Sequence, residues 1–192
     1  EWESLGTGTY SDRFYNYFNF IRTPVEIKKA PNVERYRVMN PYKAFWESKD
    51  DDFKSQNYTG SSAEWLEFFV QDYSYQNTTY TGVFFEPCKT GVIDSSLREE
   101  ISLEHIGWPR NYTQPNVYWR KNKVVSDGVF QLAPMYVIVG TPYIYGMYQY
   151  DEVVIITLPG KSYTFHDETN GAAAPLGIAR SVAPAAPQTY FG

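Results

Sequence analysis

The chain has a single cysteine, Cys88, among its 192 residues. No intramolecular disulfide can form, so stability must come from the core, which a chain of this length is large enough to build. Cys88 reads as a small buried hydrophobe rather than a reactive thiol, because unpaired cysteine is among the most buried residue types. Histidine is almost as scarce. With only His105 and His166, a His-rich metal site is excluded. Lysine and arginine form no cluster and the formal net charge is −5. That balance argues against nucleic acid as a partner, since such a module needs a basic stripe to displace counterions. No apolar run approaches the ~20 residues of a membrane-spanning helix. The longest, Met135 to Val139 and Val153 to Ile156, are of strand length.

Catalytic signatures are missing too. There is no His-Glu-x-x-His and no Gly-x-Ser-x-Gly. Gly160-Lys161-Ser162 echoes the end of a phosphate-binding loop, but the first glycine of that motif would fall on Ile155. Gly6-Thr7-Gly8 lacks dinucleotide context and reads as a turn or bulge. Asp50-Asp51-Asp52 lacks the alternating acids and glycine of a calcium loop, and reads as a solvated acidic loop tip. No catalytic residue, metal ligand or cofactor is assigned. Glu64, Glu67, Glu86, Glu104 and Glu152 are the acids from which a glycoside-hydrolase pair could be drawn, but spacing cannot test a pair assembled in three dimensions.

What is abundant is aromatic: 18 Tyr, 12 Phe and 5 Trp, or 18% of residues. Short runs of aromatic and β-branched residues recur between turn residues, the pattern of an all-β domain. Pro24-Val25-Glu26-Ile27 and Arg35-Tyr36-Arg37-Val38 alternate, with Val25, Ile27, Tyr36 and Val38 expected inward and Glu26 and Lys28 expected across from the two arginines. Leu66 to Val70, Thr81 to Phe85, Ile101 to Glu104 and Glu152 to Leu158 are further strands, and Cys88 is expected at a strand exit. Phe14 to Phe20 is either a continuation of the first strand or a helical turn. Asp127-Gly128 is a tight turn. Residues 43–62 read as a long acidic loop with a helical turn around Tyr42 to Ser48. The expected architecture is a β-sandwich of two mainly antiparallel sheets with long loops, a β-barrel being the rival. Residues 1–165 form the expected domain. Residues 166–192, with seven Ala and three Pro, form an expected tail.

Trp2 with Ser4-Leu5-Gly6-Thr7-Gly8, Tyr10 and Asp12, then Tyr36-Arg37-Val38 with Asn40-Pro41-Tyr42, then Asp127-Gly128-Val129-Phe130, resemble the signature of a family of uncharacterised exported proteins of Bacteroidetes, many of them lipoproteins. The likeness covers about residues 1 to 160. It implies export and cell-surface or periplasmic placement, and it transfers no site residues. The long acidic segment and the Ala/Pro tail depart from the family pattern. A start at Glu1 rather than Met is expected of either a trimmed or a mature form. The sequons at Asn57, Asn77 and Asn111 read as polar loops in a bacterial protein.

The expected function is a non-catalytic exported binding or adhesion domain, with polysaccharide or another surface protein as partner. Aromatic faces stack on sugar rings while polar neighbours bind hydroxyls. Tyr143 and Tyr145 share a face at strand period, as do Tyr148 and Tyr150. Trp46 and Trp108 sit in loop-like stretches and are expected to be exposed, with Trp2 and Trp119 in the core. These six residues (Trp46, Trp108, Tyr143, Tyr145, Tyr148 and Tyr150) are the candidate ligand-binding set. A structural subunit of a surface assembly and a small carbohydrate-active hydrolase are the alternatives.

Overall fold

A computed structural model describes residues 1–14, 17–18, 20–166 and, as backbone, 180–182. The chain is all-β, built from two antiparallel sheets. The first strand, β1 (Glu3–Asp12), pairs along its length with β2 (Ile21–Lys29), which turns into β3 (Arg35–Met39). Two short helices follow, α1 (Lys43–Glu47) and α2 (Asp51–Asn57), and the chain returns as the long hairpin β4 (Trp65–Tyr75) and β5 (Thr78–Phe85). Next come β6 (Cys88–Ile93), β7 (Glu100–Glu104), the hairpin β8 (Lys123–Ser126) and β9 (Val129–Leu132), then β10 (Met135–Ile138), β11 (Tyr143–Tyr145), β12 (Val154–Thr157) and β13 (Arg180–Val182).

The first sheet runs β5-β4-β3-β2-β1-β12-β9-β8, the second β13-β11-β10-β7-β6. The eight-stranded sheet curls until its edges nearly meet. The Val83 N–H on β5 donates to the Asn122 carbonyl just before β8, at 3.1 Å. The result is a sandwich with barrel-like closure, which leaves little open edge on the larger sheet. One apolar cluster joins the sheets: Tyr10, Val25, Ile27, Val38, Leu66 and Phe68 from the first meet Val92, Leu103, Tyr136 and Ile138 from the second. A second cluster, Phe69, Phe84, Ile106, Trp119, Met135 and Val137, is covered by the 105–121 loop.

The alternation expected of β2 and β3 holds: Val25, Ile27, Tyr36 and Val38 are buried. Of their charged neighbours, Lys28 lies across from an arginine, Arg37, as expected, while Glu26 is not the acid that the arginines use. The acid that satisfies both comes from the other side. Glu67 on β4 accepts from Arg35 and, at 3.0 Å, from Arg37 Nε. Cys88 opens β6 instead of closing a strand, and it is buried. The first strand does not continue past Phe14: the Tyr17 and Phe18 N–H groups both donate back to the Phe14 carbonyl, at 3.2 and 3.0 Å, and residues 15, 16 and 19 of the expected stretch lie outside the described residues.

The acidic segment is the largest correction. The helical turn expected around Tyr42 to Ser48 is α1, but residues 51–57 of the expected loop fold as α2. Asp50 caps α2, its carboxylate accepting from the Phe53 N–H at 2.8 Å, and Asp51 and Asp52 occupy the first turn. Carboxylates there meet unpaired N–H groups and the positive end of the helix dipole, so the aspartate run is a helix start. In the Ala/Pro stretch, β13 pairs with β11 of the same chain, Ser181 opposite Ile144. Residues 167–179 and 183–192 lie outside the described residues. No helix among the described residues is long and apolar enough to cross a membrane.

Candidate functional site

The α1–α2 excursion carries an open concavity of about 380 Å³, lined by Asn40, Lys43, Glu47, Lys54, Tyr58 and Ser61 together with Trp46. Its construction begins at Asn40-Pro41-Tyr42. Asn40 adopts a left-handed φ of 48°, a conformation asparagine tolerates better than most residues. Its N–H donates to the Glu64 carbonyl at 2.7 Å, and its carbonyl accepts from the Lys43 N–H at 3.2 Å. The turn therefore launches α1 while anchoring the far end of the excursion. After α2, Tyr58 bridges to Val92 and the Thr59 N–H donates to the Gly91 carbonyl at 2.8 Å, pinning the segment to β6.

Trp46 and Tyr58 stack face to face, their ring centroids 4.3 Å apart. The indole N–H donates to the Thr90 carbonyl at 2.9 Å, so the buried polar end of the ring is satisfied. The stack rests on Gly91. With φ at +88°, a Cβ on this residue would come within 2.7 Å of both the Trp46 Nε1 and a Tyr58 ring carbon. Only glycine fits. A half-buried tyrosine ring, an amide, two lysines, a carboxylate and a hydroxyl thus converge on one concavity. That size lies within the range usual for small-molecule sites.

Beneath α1 lies a network that holds this entrance in place. Tyr42, the residue before α1, donates its hydroxyl to Asp12 Oδ2 at 2.8 Å, and Tyr136 donates to the same oxygen at 2.9 Å. The Phe14 N–H bonds Oδ1 at 2.8 Å, and the Tyr10 and Tyr42 hydroxyls are 2.7 Å apart. Asp12 has no solvent exposure. Burial raises its pKa from 3.8 to about 6, and the Phe14 N–H and the Tyr42 and Tyr136 hydroxyls only partly offset that push. Asp94, by contrast, sits below its ordinary value. Burial pushes it up, but the Leu97 and Ser96 N–H groups and the Tyr145 and Tyr17 hydroxyls together outweigh that.

The six predicted residues do not form one surface. Trp46 is on α1, not in a loop, and is 3% exposed; it bears on the site as part of the lining. Trp108 is half-buried and packs edge-on against Phe69, centroids 4.9 Å apart. Trp119 is buried as expected. Trp2 is half-buried, and with Trp65 it sandwiches the Arg37 guanidinium at 4.1 and 4.0 Å. Tyr143 is exposed while Tyr145 is buried, although both have the same strand parity. The Phe14 ring packs on the Tyr145 ring, centroids 5.1 Å apart, and the Tyr145 hydroxyl donates to Asp94 at 2.9 Å. Tyr148 lies in a 3-10 turn at Met147–Gln149, so strand period does not relate it to Tyr150. Tyr148 instead meets Tyr118 edge-on at 5.2 Å, and Tyr150 is exposed.

The sequence reading missed Asn40, Lys43, Lys54, Tyr58 and Ser61. The signal for them was the Asp50-led helix start followed by Lys54, which turns the acidic segment from loop into framework. Among the described residues no group of three or more His, Cys, Asp or Glu is placed to hold a metal ion. The acids considered for hydrolysis are largely engaged by arginine: Glu67 with Arg35 and Arg37, Glu86 with Arg35, Glu104 with Arg110 at 2.9 Å, and Glu152 with Arg13 at 3.8 Å. Comparison with protein-family models, with curated proteins and with solved structures gives no match.

Proposed function

We propose that the protein is a non-catalytic, exported cell-surface binding domain that takes a glycan in the α1–α2 cavity. The observation that carries this reading is the cavity itself: a tyrosine ring backed by tryptophan, with Asn40, Lys43, Lys54 and Ser61 around it. An apolar ring face suits the C–H face of a sugar, and the polar groups suit its hydroxyls. The engagement of the candidate acids by arginine supports binding over hydrolysis. The exported setting rests on the resemblance to the Bacteroidetes family.

The test is a polysaccharide and glycan array, with the same samples assayed for released reducing sugar. Binding without release is expected, and Lys54→Ala with Ser61→Ala should weaken it with the circular dichroism spectrum unchanged. Absence of binding to every glycan would refute the ligand class. Release of reducing sugar would refute the non-catalytic reading.

A further inference from the structure

Two lysines, Lys43 and Lys54, and one carboxylate, Glu47, line the α1–α2 concavity. In a chain whose formal net charge is −5, this lining has a cationic excess. Among the described residues neither lysine makes a salt bridge or a side-chain hydrogen bond, and Glu47 makes none either. Sequence order explains part of this. Lys43 and Glu47 are one helical turn apart on α1 with the lysine first, the weaker order for a helical ion pair. Asp50, one turn before Lys54, is committed to the Phe53 N–H as the cap of α2. Both ammonium charges are therefore answered by solvent and remain open to an anion that enters the concavity.

Ser61 adds a third donor. The Lys89 ammonium donates to Ser61 Oγ at 2.9 Å. An ammonium only donates, so the serine oxygen accepts there and its own proton is left to donate elsewhere. Lys89 is itself balanced by Glu100 at 3.2 Å, so it orients Ser61 without adding net charge. The backbone that presents Ser61 is fixed, because Thr59 Oγ1 donates to the Ser61 carbonyl at 2.7 Å and the Thr59 N–H is held by Gly91. The Asn40 side-chain amide has no partner among the described residues and offers both a donor and an acceptor. The lining thus combines two uncompensated cations, a serine proton, an amide, one acceptor carboxylate and the Tyr58 ring. A neutral sugar would use the ring, the amide and Glu47 but leave both cations without an anion. A free inorganic anion would use the cations but neither the ring nor Glu47. A sugar that carries its own carboxylate uses all of them: the ring face on Tyr58, the carboxylate on the lysines, the hydroxyls on Asn40 and Glu47.

We propose that the α1–α2 concavity selects an acidic glycan, with a uronate carboxylate held by Lys43 and Lys54. This rests on the glycan reading of the same concavity and names the class of sugar. The test is calorimetric titration of the full chain with oligomers of galacturonate, glucuronate and mannuronate, with the methyl ester of each, and with neutral and sulfated oligosaccharides of the same length. The ester keeps the ring and its hydroxyls and removes only the charge. An acid oligomer is expected to bind about tenfold or more tighter than its ester, and added sodium chloride should narrow that preference. Lys43→Gln and Lys54→Gln should each narrow it several-fold. Glu47→Gln should widen it a few-fold by removing a like charge, a gain that a merely damaged fold would not give. Equal affinity for acid and ester, or a wild-type preference in both lysine variants, would overturn the proposal and leave the glycan reading standing. Tighter binding of a sulfated oligosaccharide than of any uronate would overturn the carboxylate assignment. Binding of no oligomer, acidic or neutral, would overturn the glycan reading and this proposal with it.

Discussion

Asp12→Asn should change how stability depends on pH more than it changes stability itself. In the folded protein the Asp12 carboxyl holds its proton up to about pH 6, against 3.8 ordinarily. Its folded value is raised, so its contribution to stability is fully present below about pH 4 and is lost as pH rises through 6. At about 1.4 kcal/mol per pH unit, that difference is worth about 3 kcal/mol. His105 works in the opposite direction. Burial lowers its pKa from 6.5 to about 3, so the unfolded chain takes up a proton that the folded protein refuses. The stability this confers is present above 6.5 and is lost as pH falls toward 3. Between pH 4 and 6 unfolding releases one proton at Asp12 and takes up one at His105, and the two slopes cancel. The wild-type curve from urea unfolding should therefore be nearly flat in that window and fall below it. Asp12→Asn removes only the first of these contributions. The amide keeps an oxygen to accept the Tyr42 and Tyr136 hydroxyls, while its stability should rise by about 3 kcal/mol from pH 4 to 6, where wild type stays level. Parallel curves for the two proteins across pH 4 to 7 would refute the argument, because they would mean that Asp12 titrates alike in the folded and unfolded chains.

The remaining expectations concern the core and the cavity. His105→Phe should give the mirror result, with stability falling as pH rises from 4 to 6, because the Asp12 contribution is then unopposed; the same urea series checks it. Gly91→Ala should destabilise by about 1–3 kcal/mol, through both the left-handed φ and the contact with Trp46 and Tyr58, and glycan binding should fall along with the melting temperature. Burial pushes the Cys88 thiol up to about 12, so a thiol-specific reagent should leave the native protein unlabelled at neutral pH and label it stoichiometrically in denaturant.

Much of the fold was legible because period-two burial is a local signal. Val25, Ile27, Tyr36 and Val38 announce their face within a few residues of chain. The acidic segment was harder because composition and geometry point in different directions there. Asp50-Asp51-Asp52 is polar enough for a loop, yet the same residues cap and charge the start of a helix. The tyrosines between 143 and 150 were misplaced for another reason. The burial of Tyr145 depends on Phe14 and Tyr17, more than a hundred positions away, and no local period carries that information; Tyr148 is taken out of strand period by the 3-10 turn at Met147–Gln149.

The conjunction of Asp12 with Asn40-Pro41-Tyr42 has a physical basis that neither segment shows alone. A buried carboxylate on β1 is stable only if donors reach it, and two of its three are hydroxyls from distant parts of the chain. One of these, Tyr42, is the residue from which α1 departs. The donor that satisfies Asp12 is therefore also the hinge pin of the cavity wall carrying Lys43 and Trp46. It follows that loss of the Tyr42 hydroxyl should be felt in two places. Tyr42→Phe leaves Asp12 one donor short in the dry interior, which should raise its pKa further and cost about 1–3 kcal/mol at neutral pH. It should also loosen the start of α1. Hydrogen exchange in the 43–47 segment should then quicken more than in β2 or β3. Uniform acceleration across the sheet would mean that the hydroxyl serves global stability alone and does not position the site.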